Sequence, residues 1–523
     1  MSGPAVEPGP LAGVRLAEIV GVLSLGTDLG LGQPMDQGLR ATLLAVRLGE
    51  SLGLGADELA DVFYLPTLRF VGCTADTVSV NHYFGDEFAA ERELVRLNGA
   101  GQSELLRFIV TNVGAGRSPA RRIGLVASAL ATAKKQIEAA DRAHCEVATL
   151  IAARLGFGER IRRGIAQAFE RWDGKGDPGS ARGDELEIAL RISQVAYTVA
   201  LLDALDGWDA ALATARRRAG GGLDPWVVEH LCAHPQLQET LRCDDPWTSL
   251  LELEPGPRPV LDGQSLDAAL AVCGAFTDLK STFTVGHSER VARLAGGAGV
   301  VLGLPPGEIA RLRGAALVHD LGRVGVSQLV WDKPGALSSA ERETVRLNAY
   351  YTERMLTRAA GLARITEVAC SAFERLDGSG YHRRLPAAML GPTARVLAAA
   401  DVLAALGEDR PHRAALTPNE ATEQLCAEAA AGRLDSAAVQ AVLTADGRPS
   451  PRPVTVWPGG LTAREVDVLR QAARGATIRG IAAALGIAPK TADTHLQHAY
   501  AKIGVSNRAA AAMYAMQHGL LTS

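Results

Sequence analysis

Apolar residues recur at three- and four-residue spacing along most of the chain, as in Leu39, Leu43, Leu44 and Val46, or Val291, Leu294, Ala295 and Ala298. That period is the buried stripe of an amphipathic helix, so the chain reads as all-α. Two proline-rich stretches interrupt the pattern: Glu254-Pro-Gly-Pro-Arg-Pro259, and Gly447 to Pro458, which holds four prolines. Proline cannot continue a helix, so both stretches read as linkers.

An internal repeat divides the helical part. Ala168-Phe-Glu-Arg-Trp-Asp-Gly-Lys-Gly176 returns as Ala372-Phe-Glu-Arg-Leu-Asp-Gly-Ser-Gly380, with seven of nine positions identical at a spacing of 204 residues. Upstream, Leu52-Gly-Leu54 and Glu58 match Leu302-Gly-Leu304 and Glu308 at a spacing of 250. The expected plan is two related helical domains, residues 1–250 and 260–446, a proline-rich linker at 447–459, and a small domain at 460–523.

Composition narrows the function classes. With 523 residues, 47% hydrophobic and 21% charged, the chain is no disordered polymer, and its net charge of -4 declares no affinity for nucleic acid. Any such function must sit in a local patch. The seven cysteines are odd in number and never spaced Cys-x-x-Cys, which suits a reducing cytoplasm without structural disulfides. The first residues lack a secretory signal pattern, and no apolar run reaches the ~20 residues of a membrane helix. A soluble cytoplasmic protein with no membrane partner is expected.

The second helical domain carries candidate chemistry. His287, the adjacent His319 and Asp320, and the distant Asp401 lie on separate helical segments and could converge on one divalent ion, leaving positions for water and a phosphate oxygen. This H…HD…D order resembles the HD phosphohydrolase superfamily, and the Asp377-Gly-Ser-Gly-Tyr381 loop narrows the resemblance to HD-GYP domains, which hydrolyse cyclic di-GMP. The resemblance covers about residues 275–425. It breaks at further metal-binding histidines of that family, whose places hold Asn348, Ala372 and Phe373; the family's lysine after the HD pair is Arg323, and its proline after Gly-Tyr is His382. Alanine and phenylalanine offer no ligand atom, so a centre of two or three metals is not expected. One ion remains compatible with the four ligands, with Mn, Fe or Mg as the candidates. The alternative is that His319 and Asp320 simply bond each other in a helical core.

Transferring the site by the two spacings puts Gln37, Arg69, Phe70 and Tyr197 at the four ligand positions of the first copy, with His144 at the place of Asn348. That set holds no metal. Because the Phe-Glu-Arg-x-Asp-Gly loop persists in a copy without a site, the loop itself reads as structural, its glycines and aspartate suiting turns.

The C-terminal residues supply the basic patch: seven basic against three acidic side chains from Leu461 to Ser523 give +4, leaving -8 for the first 460 residues. Thr462-Ala-Arg-Glu465 is a capping box, Gly475 ends that helix, Thr477 opens a second running to Gly486, and Pro489 opens a third. In the third helix Ala492, Leu496, Ala499 and Ile503 form the core stripe, with a fourth helix from about Asn507 to Gln517. A helix, a tight turn and a helix with a polar outer face make a helix-turn-helix.

Leu461-Thr-Ala-Arg-Glu465, Gly475, Ile481-Ala482, Leu485-Gly-Ile487, Pro489-Lys-Thr491 and Lys502-Ile-Gly-Val505 closely resemble the LuxR-type (GerE-like) DNA-binding domain. The resemblance implies a recognition helix from Lys490 to Lys502, with Lys490, Thr491, Asp493, Thr494, His495, Gln497, His498, Lys502 and Arg508 facing DNA, and a homodimer on a two-fold promoter site. Ala488 and Gly480 depart from the family's serine and glutamate; each costs about 1 kcal/mol of helix stability. The favoured reading is a transcription regulator whose tandem module senses a nucleotide or other small effector, or mediates assembly, and is not an efficient enzyme. The competing reading is a metal-dependent phosphohydrolase of cyclic di-GMP or another nucleotide.

Overall fold

The computed structural model describes residues 13–73, 87–97, 100–115, 118–448, 457–518 and 520. Most of the linker expected at 447–459 lies outside these residues. Two compact units emerge, Met1–Arg448 and Pro449–Ser523. Helices dominate both, and among the described residues the strands are two short ones, Val14–Arg15 and Val260–Leu261, paired antiparallel.

One apolar core runs through the first unit from Val14 to Leu443. The helix Leu16–Gly30 of the first half packs against Gly263–Asp278 and the short turn Leu321–Gly325 of the second. The Glu254–Pro259 stretch is anchored to this shared body through its first residue. Glu254 is 2% exposed, accepts the Tyr64 hydroxyl at 2.6 Å, and pairs with the Arg15 guanidinium. A buried carboxylate must be paired in this way, so the prolines join two halves that share one core. Ile188–Asp206 is long and apolar enough to cross a membrane by length and composition, yet 78% of its apolar window is buried inside the unit.

The halves repeat each other in detail. The 15-residue helices Gln37–Ser51 and His287–Val301 begin 250 residues apart, as do the 13-residue helices Ala56–Leu68 and Pro306–Val318. Asp28 accepts the Gly38 amide at 2.8 Å, and Asp278 accepts the Ser288 amide at 3.0 Å, again at that spacing. The shared loop obeys the same logic. Glu170 accepts the amides of Gly179, Ser180 and Ala181 at 3.1, 2.7 and 3.3 Å, while Glu374 accepts those of Arg383, Arg384 and Leu385 at 2.9, 3.1 and 3.0 Å. Both carboxylates are 1% exposed. The turn aspartates also agree, Asp173 taking the Lys175 amide and Asp377 the Ser379 amide.

The second unit contains the helices Ala463–Ala473, Ile478–Leu485, Pro489–Ile503 and Arg508–Gln517 around its own core. The expected capping box is present, with Glu465 N–H to Thr462 Oγ1 at 3.3 Å and Thr462 N–H to the Glu465 carboxylate at 2.7 Å. Thr477 caps the second helix through the Gly480 amide, and Ala488 supplies no side-chain cap to the third.

Because three backbone donors lose their acceptor together, Glu374→Ala is expected to lower the unfolding free energy of the first unit by about 2 to 4 kcal/mol. Urea denaturation followed by circular dichroism measures the change, and Glu170→Ala should match it in size.

Candidate functional site

Three of the four expected ligands meet. His287 opens the helix His287–Val301, where Gly286 takes the left-handed turn (φ 79°) that starts it. His319 closes the helix Pro306–Val318, and Asp401 sits within Pro392–Leu406. Ligand atoms of these three side chains lie within 4.8 Å of one another. Asp401 Oδ1 is 3.2 Å from His287 Nε2 and 3.5 Å from His319 Nε2. Exposure is 2% for His287, 0% for His319 and 8% for Asp401, so protein surrounds the cluster.

The outer partners set the imidazoles. His319 Nδ1 donates to the Ala316 carbonyl at 2.8 Å, which leaves Nε2 facing the cluster, buried and 3.5 Å from Asp401 Oδ1. His287 Nδ1 faces the Glu408 carboxylate at 2.9 Å. A histidine braced from behind by a carbonyl or carboxylate is the usual arrangement of a metal-ligating imidazole. Sequence reasoning missed Glu408. It lies seven residues beyond Asp401, past the end of the helix, and no periodicity announces a loop residue that turns back on its own helix.

Electrostatics agrees with convergence. Burial disfavours the His287 imidazolium, but Asp401 and Glu408 outweigh it and lift the group to about 10. His319 is shifted upward in the same manner, against burial, by Asp401 and Asp320. Against burial, the two imidazoles hold Asp401 far below the usual carboxylate range. Two imidazoles and a carboxylate at this spacing demand a positive charge between them, whether a proton or a metal ion.

The fourth expected ligand is engaged elsewhere. Asp320 Oδ2 accepts from Arg323 at 2.7 Å and Oδ1 from Asn348 Nδ2 at 2.5 Å. Arg323 and His319 outweigh burial and bring its carboxyl down to about 2. The alternative of a simple His319–Asp320 hydrogen bond is therefore not the arrangement found. Where further ligands would be needed, Ala372 is fully buried, and Phe373 stacks on Tyr381 at 5.2 Å with its ring 6.0 Å from that of His319.

The first half fills the corresponding space with bulk. Phe70 packs on Tyr197 at 4.8 Å, and the Arg69 guanidinium lies 4.8 Å from the Phe70 ring and donates to the Ala168 carbonyl at 2.8 Å. His144 contacts the Arg69 carbonyl through Nε2 at 2.7 Å and Cys73 Sγ through Nδ1 at 3.3 Å. Gln37 is buried at the remaining position.

In the second unit, Lys490, Thr491, Asp493, Thr494, Gln497 and His498 are exposed on one helix, His495 is half-buried, and Ala492, Leu496 and Ala499 are buried as expected. Two of the expected DNA-facing residues already have protein partners. Lys502 Nζ is 2.7 Å from the buried Glu465 carboxylate, and Arg508 donates to the Ala476 carbonyl. Burial pushes the Glu465 carboxyl up, but Lys502 and Thr462 overcome it and hold the group below its ordinary value. Lys502 thus ties the end of the third helix to the start of the first.

Burial depresses His144 to about 4, below the ~6.5 of an unfolded histidine. The unfolded chain therefore binds the extra proton first, so this histidine's contribution is intact above about pH 6.5 and is lost as pH falls toward 4, by up to roughly 3 kcal/mol. His144→Gln should flatten that part of the stability–pH curve in chemical denaturation. Lys502→Met, which strands Glu465, should lower the stability of the second unit by about 1 kcal/mol in thermal melts.

Residues 272–438 match the HD domain family, and residues 460–515 match the family described as bacterial regulatory proteins, luxR family. The chain is 29% identical over 410 residues to 3'3'-cGAMP-specific phosphodiesterase 3 of Vibrio cholerae, covering 78% of this chain and 89% of that one. It is 36% identical over 159 residues to 3'3'-cGAMP-specific phosphodiesterase 1 of the same organism, covering 30% and 37%. The probable transcriptional regulatory protein NarL of Mycobacterium tuberculosis is 52% identical over 61 residues, 12% of this chain and 28% of that one. A crystal structure of a cyclic GMP-AMP specific phosphodiesterase from V. cholerae superposes with a TM-score of 0.58 at 27% identity, over 83% of this chain and 98% of that one. The chain therefore joins an HD domain, within a phosphodiesterase-like first unit, to a DNA-binding domain of the bacterial LuxR family.

Proposed function

We propose that the protein is a cytoplasmic transcription regulator in which the HD half binds one divalent cation and, through it, a phosphate of a cyclic dinucleotide, while a homodimer of the C-terminal domain binds promoter DNA. The observation that carries the reading is the buried cluster itself, in which His287 Nε2 and His319 Nε2, each ring oriented from behind, face Asp401 Oδ1 at 3.2 and 3.5 Å. Polar groups gathered this closely in a protein interior call for a shared positive charge. Two imidazoles and one carboxylate suit Fe²⁺ or Mn²⁺ and accept Mg²⁺ less well. When bound, the cation would polarise a phosphoryl oxygen; Asp320, held by Arg323 and Asn348, would stay beside it as fixed negative charge.

The first half, residues 1–250, acts as a copy without ligands at the matching positions Gln37, Arg69, Phe70 and Tyr197, and 260–446 as the effector half. Lys490, Thr491, Asp493, Thr494, Gln497 and His498 form the DNA-reading face, while His495, Lys502 and Arg508 hold the domain's geometry. A second reading, hydrolysis of the dinucleotide at a single ion, draws support from the similarity to cyclic dinucleotide phosphodiesterases along most of the first unit.

Calorimetry with Mn²⁺ should show one ion per chain, with affinity falling at least about tenfold in His319→Ala. Incubation with 3'3'-cGAMP and Mn²⁺ separates the two readings. Unchanged dinucleotide together with an altered gel shift on promoter DNA supports the sensor, and turnover that vanishes in His319→Ala replaces it with the enzyme.

A further inference from the structure

Among the described residues the first half holds no metal ligand set, yet one of its side chains reaches the surroundings of the second half's site. Glu87 opens the helix Glu87–Arg96 and is fully buried. Its Oε1 lies 2.5 Å from Nζ of Lys280, which is itself 1% exposed and two residues beyond Asp278. Lys280 Nζ also stands 5.2 Å from the Phe88 ring. The same carboxylate accepts the Gln328 amide, 3.1 Å from each oxygen, and lies 3.3 Å from the Ser327 hydroxyl. Its helix is seated closely. Arg92 Nε donates to the Gly32 carbonyl at 3.0 Å, and a Cβ on Gly32 would come within 2.9 Å of the Phe88 carbonyl oxygen.

From Gln328 a continuous series of contacts leads to the ligand shell. Asp332, at the end of the turn Gln328–Trp331, accepts from Gln328 Nε2 at 3.0 Å and from the Ser281 hydroxyl at 2.6 Å. Trp331 Nε1 donates to the Arg323 carbonyl at 3.2 Å, and the Arg323 guanidinium stacks 3.9 Å from the indole centroid. Arg323 in turn grips Asp320, next to His319.

We propose that Glu87 is a positioning residue: the first half, through this carboxylate, fixes the 327–332 segment and thereby the orientation of Arg323 and Asp320 beside the His287, His319 and Asp401 cluster. The retained first half is then a brace that completes the site, with Lys280 supplying the buried counter-charge that lets a carboxylate be placed there. The reach of the brace rests on contacts alone; its effect on a bound ion rests on the metal reading given above.

Hydrogen exchange by mass spectrometry on the full chain tests it, comparing wild type with Glu87→Gln and with the paired, uncharged Glu87→Leu/Lys280→Met. Amides of residues 328–332 and of the following contact region 321–325 should exchange about tenfold faster in both variants, with the helix His287–Val301 unchanged. In the paired variant the Mn²⁺ dissociation constant should rise by about threefold or more while the melting temperature stays near wild type. Should Glu87→Gln not fold, the paired variant decides alone, since it leaves no unpaired buried charge. Exchange in 321–332 at the wild-type rate, faster exchange confined to 328–329, or unaltered Mn²⁺ affinity would each overturn the proposal. Wild-type protein that takes up no Mn²⁺ removes the metal reading, and the exchange rates then judge the brace on their own.

Discussion

Bringing His287, His319 and Asp401 within one another's reach inside a protein removes three polar groups from water, and the surrounding structure is arranged around that cost. Each group is answered by something behind it: the Ala316 carbonyl for one imidazole, Glu408 for the other, and the imidazoles themselves for the aspartate. Asp320 is neutralised by Arg323 and Asn348, and Arg323 is in turn flattened against Trp331. The cluster is polar at its centre and enclosed by a shell of paired charges, with apolar packing outside that shell. This order explains why residues far apart in sequence, from Glu87 to Arg410, have their ionic partners in one region of the second half.

The first half shows what happens to the same fold when the centre is given up. Its helices keep the lengths and spacing of their counterparts, while the polar cluster is exchanged for Phe70, Tyr197, His144 and the stem of Arg69. Close packing forbids a void of that size, so large side chains enter as ligands leave. In the second half Phe373 lies with its ring 6.0 Å from that of His319, and Ala372 beside it is fully buried.

Much of this organisation was legible in the residues. The three-four periodicity identified the helices, the repeat identified the halves, and the caps Thr462 and Thr477 opened helices where expected. Of the site, His287, His319 and Asp401 converge as their order suggested, because the order reflects which helices must pack together. Three matters were hidden for physical reasons. Asp320 carries the residue type of a ligand, but its partners Arg323 and Asn348 are chosen by side-chain direction, which spacing does not encode. Lys502 looks like any outward cation until the buried Glu465 is placed beside it. The Glu254–Pro259 stretch has the composition of a linker, yet Tyr64 and Arg15 fix its first residue within a continuous core.

The loop that opens with Phe169-Glu-Arg and again with Phe373-Glu-Arg keeps one buried glutamate under three backbone amides in both halves, with or without ligands nearby. What it preserves is the path of the chain. A survey of genomes that recognised metal centres by this loop would therefore gather folded shells without the ligands together with those that hold them. Counting the imidazoles that face inward separates the two populations.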